Sequence, residues 1–226
     1  MEERKRLIPE EMRLPAVFSI VCHAAAYNGT RLLTTARPHY DFSVEMDGKI
    51  PFAAWTVIIY LGCFAFWFVN YIIGCRQERK EAFRFMGADL IAKTVCMLCF
   101  LLLPTTNTRP FVAGGSVLEE LVRFLYRMDA ADNLFPSIHC LNSWFCFIAV
   151  RKNEKVPGWY RGASLLMALG VCISTLTTKQ HVLVDVFAGV ALAEGSYLFV
   201  EKSGFAAWYG RRCLQKNLEK KEQSIV

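Results

Sequence analysis

An all-α, integral-membrane bundle of six helices with both termini in the cytoplasm is what this 226-residue chain predicts. Three observations lead there. Hydrophobic residues make up 54% of the sequence and the mean hydropathy is positive, which is rich for a soluble domain and ordinary for a multi-spanning one. Apolar segments of roughly 20 residues, the length that crosses a bilayer, recur along the chain. Basic residues alternate between the connections, as the retention of positive charge in the cytoplasm requires.

The first apolar segment, 14–33, fades into polar residues and is the weakest of the six. The second, 52–73, carries no charge and is the clearest. The third, 85–103, contains Asp89 and Lys93 at i, i+4 spacing, which is expected to make them neutralise each other. The fourth, 134–150, contains His139. The fifth, 159–178, has Arg161 near its start. The sixth, 182–200, contains Asp185 and Glu194, and nothing in the sequence explains Glu194 beyond a structural ion pair. Between the third and fourth segments, "SVLEELVRFLYRMD" opens with a capping box at Ser116 and Glu119 and sets Leu118, Leu121, Val122 and Leu125 on one face. It reads as a helix lying at the interface near the site.

The N-terminus, the second and fourth connections and the C-terminus together hold 18 of the 26 lysines and arginines; the other three connections hold seven, and Lys93 lies inside a span. Both termini are therefore expected inside. The formal net charge of +6 follows from this topology and from attraction to anionic headgroups, so no nucleic acid is called for. No cleaved signal peptide is expected, because the first apolar stretch lacks a clean core followed by a cleavage site. The nine cysteines fall in spans or on the inner side, so no structural disulfide is expected, and Cys96 and Cys99 read as small core residues. Residues 1–226 form one membrane domain, with a core at about 50–200 and a charged cytoplasmic tail, partly helical or disordered, at about 203–226.

On this topology three polar clusters reach the outer boundary: "LPTTNTRPF" after the third span, "NLFPSIHC" at the start of the fourth and "TKQHVLVD" at the start of the sixth. Polar groups at membrane depth are costly and usually functional, so three sets at one level predict a shared extracytoplasmic site. Pro136 suits a first helical turn, whose free N–H groups, with the Ser137 hydroxyl, form an anion site. His139 in that turn can donate a proton. Arg109 offers a planar fork to a phosphate or carboxylate, and Lys179 a point charge. His181 and Asp185, at i, i+4, share one face, so the carboxylate can fix the imidazole and make it a better nucleophile or base. No carboxylate cluster for magnesium is present, and the flanking cations favour an oxyanion over zinc; no metal and no cofactor is expected. Phosphoryl transfer through a phosphohistidine fits best, with His181 attacking, His139 protonating the leaving oxygen and the cations holding the phosphoryl oxygens.

"RP" at 109–110, "PSIH" at 136–139 and "HVLVD" at 181–185 resemble the three signatures of the type 2 phosphatidic-acid phosphatase superfamily in order, spacing and span placement, over roughly residues 50–200. The resemblance implies a six-helix membrane fold and metal-independent catalysis. It implies that Arg109, Ser137 and His139 contact the phosphate and leaving group, that His181 is the nucleophile, and that Asp185 is its partner. Two family positions differ. A lysine usual seven residues before the arginine is Leu102 here, and the third motif begins Ser174-Thr175 instead of Ser-Arg. Lys93 cannot replace the lost cation, lying about 16 Å below the outer boundary in a helix, whereas Lys179, two residues before His181, can. "FPS.H", "TKQH" and "LPTTNTRP" look more like the branch near inositol-phosphorylceramide and sphingomyelin synthases, which pass a phosphorylated headgroup between lipids. The expected activity is thus a lipid phosphatase acting on a lipid phosphate or diphosphate in the cell membrane, or a headgroup phosphotransferase. A lipid or anion transporter with a midplane site is the reading of another class; the placement of the polar residues at helix starts separates it from the enzymes.

Overall fold

The computed structural model describes residues 6–223, with side chains to residue 216. Arg4 and Lys5 of the basic N-terminus and residues 224–226 of the tail lie outside the described residues. The described chain is mostly helical. Helix α1 (Arg13–Ala24) starts with Pro15 in its first turn and runs through a π-turn (Ala25–Gly29) into α2 (Thr30–Thr34). The segment after it holds a two-residue strand β1 (Tyr40–Asp41) and a short helix α3 (Glu45–Lys49). Helices α4 (Val57–Cys75) and α5 (Arg79–Leu102) follow, then β2 (Thr105–Thr106), which pairs in parallel with β1. Helix α6 (Val117–Met128) precedes α7 (Ile138–Arg151), α8 (Gly158–Thr177), α9 (Leu183–Lys202) and α10 (Phe205–Gln223).

Among the described residues, four helical stretches are long and apolar enough to cross a membrane: Ala54–Cys75, Arg79–Leu102, Gly158–Thr177 and Leu183–Lys202. They coincide with the second, third, fifth and sixth expected spans, although α5 begins six residues before the expected start. The first expected span is the α1–α2 rod. The fourth is the 14-residue α7, which at 1.5 Å per residue is about 21 Å long. Its brevity has a local cause. Pro136 and the cap at Ser137 start the helix at Ile138. It also has a tertiary context: α7 is buried along almost its whole length and touches α4, α5, α8 and α9.

Lipid tails are as apolar as leucine, so close backbone approach and polar pairs hold such helices together. Gly189 on α9 illustrates the first: a Cβ there would lie 2.5 Å from the Ser137 carbonyl oxygen, so glycine lets α9 meet the start of α7. Two buried polar sites illustrate the second. Lys93 and Asp89 pair at 2.9 Å, as their spacing predicts, and the hydroxyls of Ser19 and Tyr71 donate to Asp89 at 2.6 and 2.5 Å. Glu194, unexplained by sequence, pairs across to Arg151 of α7 and accepts from the Trp144 indole at 2.6 Å. The tail, expected to be partly helical or disordered, is helical over α10. That helix packs back on α5, with Phe83 and Tyr209 edge to face at 6.2 Å. All nine cysteines are free thiols.

Candidate functional site

The three polar clusters meet. Asn107 of "LPTTNTRPF" donates to the Lys179 carbonyl at 3.1 Å. Thr105 accepts from the backbone N–H groups of Leu134 and Phe135 at 2.8 and 2.9 Å, and Ser137 N–H donates to the Asp185 carbonyl at 3.0 Å. The His139 and His181 ring centroids are 5.9 Å apart.

The "TKQH" cluster is shaped by how α8 ends. The Gln180 N–H reaches the Thr175 carbonyl at 2.9 Å and the Lys179 N–H reaches the Leu176 carbonyl at 3.1 Å. This is a Schellman ending, with Lys179 at φ 56° in the left-handed position where glycine is usual. A side chain there costs on the order of 1 kcal/mol against glycine. The turn delivers His181 to the start of α9. There His181 Nδ1 faces Asp185 Oδ2 at 3.2 Å, and the same carboxylate oxygen accepts from Val182 N–H at 3.1 Å. Both side chains are buried. Burial disfavours the His181 cation, but the Asp185 hydrogen bond and charge outweigh it and leave His181 above the ordinary imidazole range. Asp47, from α3, accepts from Leu183 N–H at 2.8 Å and so covers another free donor of that helix start.

His139 is held from the opposite side. The Tyr60 hydroxyl lies 2.9 Å from His139 Nε2 and 3.0 Å from Asp129 Oδ2. One hydroxyl has one proton. If it goes to the carboxylate, His139 must donate from Nε2 to the Tyr60 oxygen. Tyr27 also donates to Asp129. Trp67 and Phe64 pack on the His139 ring. Tyr60 and Asp129 were not singled out by sequence: a tyrosine in a charge-free span and an aspartate at the end of an amphipathic helix carry no signal of their own.

The remaining predicted residues divide. Ser137 is fully buried, and its hydroxyl accepts from Cys140 N–H at 3.3 Å, which is a helix cap. The Arg109 guanidinium donates to the Asp129 carbonyl and, at 3.3 Å, to the Ala130 carbonyl, and lies 4.9 Å over the Tyr126 ring. Its Nε is buried without a partner among the described residues, and burial lowers its affinity for its proton. The Lys179 ammonium donates to the carbonyls of Asp47 and Ile50 at 2.9 and 2.5 Å. Helix α6 lies over the site, its capping box formed as expected, and Tyr126 donates to the Thr178 carbonyl at 2.7 Å.

Two cavities flank the histidines. One of about 580 Å³ has Arg109, Lys179, His181, Asn107 and Asp47 in its wall. An aromatic one of about 260 Å³ is lined by His139, Tyr60, Tyr27, Trp67 and Asp129. Among the described residues, no group of three or more His, Cys, Asp or Glu side chains converges as a metal site would require.

The described residues form a helical protein with four membrane-capable helices, and two buried histidines meet at one end of it. The sequence matches the PAP2 superfamily over residues 41–199, well over half of the chain, and the chain belongs to that superfamily, the type 2 phosphatidic-acid phosphatases. This is a family of phosphatase-type enzymes of lipids. No curated protein and no solved structure matches the chain.

Proposed function

We propose that the protein is an integral-membrane lipid phosphatase. It crosses the bilayer six times with both termini in the cytoplasm, and it cleaves a lipid phosphate or diphosphate at the extracytoplasmic face. The observation that carries this reading is the pairing of His181 with Asp185 beside a second buried histidine 5.9 Å away, in a chain of this family.

With Nδ1 committed to Asp185, the free nitrogen of His181 is Nε2, and the neutral ring attacks phosphorus from there. The bond from phosphorus to the lipid oxygen breaks as the nitrogen–phosphorus bond forms. His139 gives its proton to the departing oxygen, releasing a neutral lipid alcohol. Water then attacks the phosphohistidine, its proton passes to His139, and inorganic phosphate leaves. Asp185 stabilises the imidazolium during the first step. Arg109 supplies positive charge to the phosphoryl oxygens, aided by the Ser137 turn. Lys179 lines the same cavity, and its ammonium joins them when phosphate displaces it from the loop carbonyls.

A second reading shares every step but the last. The aromatic cavity beside His139 gives room for an acceptor alcohol in place of water, which makes a headgroup phosphotransferase of the inositol-phosphorylceramide or sphingomyelin synthase kind. A transporter is disfavoured, because these residues sit at helix starts at one end of the bundle. The deciding experiment incubates purified protein with a labelled lipid-phosphate panel, with and without acceptor lipid alcohols. Free phosphate without acceptor supports hydrolysis, label on the acceptor supports transfer, and no chemistry at all sinks both.

A further inference from the structure

A third cavity, of about 290 Å³, lies between α1, α4 and α5, with Asn142 of α7 on its wall. It runs from His23 and Trp67, beside the aromatic cavity, to Leu7, Cys75 and Met86 at the other end of these helices. Its walls are mostly apolar. At its mouth, Ile20 and Phe68 are 67% and 63% exposed, which is the side a bilayer would meet.

The polar groups around it carry no net charge. Lys93 is closed by Asp89 at 2.9 Å and donates to Ser19 at 2.8 Å, while Ser19 and Tyr71 donate to Asp89. An anionic headgroup would meet buried Asp89, and a cationic one Lys93, so an ionised head gains nothing to offset its desolvation. What remains is hydrogen-bonding capacity. Asn142 faces His23 Nδ1 at 3.4 Å, and the other ring nitrogen of His23 has no partner among the described residues. His23 and Trp67 also line the aromatic cavity that holds His139, so the two cavities share a wall.

We propose that this cavity binds a long-chain lipid alcohol, with its hydroxyl on His23 and Asn142 and its chain leaving between Ile20 and Phe68. The choice of ligand rests on the phosphatase reading. Dephosphorylation turns an anionic lipid into a neutral alcohol, protonated by His139, and the shared His23–Trp67 wall adjoins the place where that alcohol is released. An alcohol drawn from the bilayer has the same chemistry and would occupy the same site.

The test uses the His181→Ala protein in phosphatidylcholine nanodiscs, so that capture needs no turnover. A diazirine-bearing hexadecanol should label α1 and α4. Unlabelled hexadecanol should compete about tenfold better than hexadecane or hexadecyl phosphate, the worth of roughly one hydrogen bond. Ile20→Trp, which fills the mouth, should abolish labelling, and Phe68→Ala, which widens it, should keep it. In the wild-type protein, hexadecanol should inhibit turnover of a lipid phosphate, and Ile20→Trp should relieve that inhibition. Equal competition by hexadecane, better competition by hexadecyl phosphate, or labelling unaffected by Ile20→Trp overturns the site while leaving the phosphatase reading intact. Alcohol capture by a wild-type protein that releases no phosphate from any lipid keeps the site and removes the phosphatase reading.

Discussion

Tyr60 has one proton, and Asp129 and His139 both lie within its reach. In the proposed reaction that proton's position decides which nitrogen of His139 donates. Tyr60→Phe is therefore expected to lower turnover about tenfold, the worth of one hydrogen bond, while KM changes little; steady-state kinetics on a lipid phosphate checks this. At His181 the expectation is categorical. His181→Ala should abolish turnover, and rapid quench of the wild type should trap an acid-labile, base-stable phosphoenzyme. The pH profile adds an independent check. The attacking ring must be neutral, and Asp185 holds the His181 proton more tightly than usual. Activity should therefore rise with pH along an acid limb that lies above the ordinary imidazole range, and Asp185→Asn should move that limb to lower pH while slowing the reaction. Lys179 keeps a side chain where glycine would be less strained, which is the cost a functional ammonium would justify. Lys179→Ala should lose about 10²–10³ in kcat with the protein still inserted, and Lys179→Arg should recover part of it. A lysine that only ties α3 to the α8–α9 turn would show instead as a lower melting temperature at unchanged kcat.

Helix starts and ends build the site. The Schellman ending of α8, the capped start of α7 and the start of α9, capped by Asp47 and Asp185, all lie together. His139 comes from the first turn of α7, Lys179 from the ending of α8, and His181 with Asp185 from the start of α9, so the ends of three helices bring the titratable side chains together. Gly189 sets the distance between two of these elements. Gly189→Val would force a side chain against the Ser137 carbonyl. It is expected to destabilise the protein by about 1–3 kcal/mol and to lower activity through displacement of His139 relative to His181. Thermal unfolding in detergent and turnover, measured together, check both parts.

At the scale of the whole molecule, the asymmetry of basic residues and the gathering of the site at one end make a single prediction about orientation. Cysteine-accessibility labelling should find residues near Arg76 and Lys152 reactive only from the cytoplasm, and residues near Lys49 and Arg109 reactive only from outside. Labelling of both sets from one side would place the site in a different compartment from the one proposed. The proposed chemistry uses protein cations where a metal enzyme would use an ion, so turnover should survive excess EDTA. A loss restored only by zinc or magnesium would mean that the charge on the phosphoryl group is balanced by a metal instead.

The sequence by itself determined the helices, because a bilayer-length apolar run and a capping box are local patterns that need no partner to be recognised. The second, third, fifth and sixth apolar segments and α6 follow from them. The family was also legible, since its motifs are short and contiguous. So was the Asp89–Lys93 pair, because i, i+4 neighbours must meet on any helix. Tertiary structure decided what no spacing encodes. It placed Tyr60, Asp129 and Tyr27 behind His139, although they come from three separate elements. It gave Glu194 its partner on a different helix and turned the Lys179 ammonium toward α3. It also made a helix of the tail by docking α10 on α5. In each case the contact joins residues far apart in the chain, and its energy depends on a distance that only the packed bundle sets.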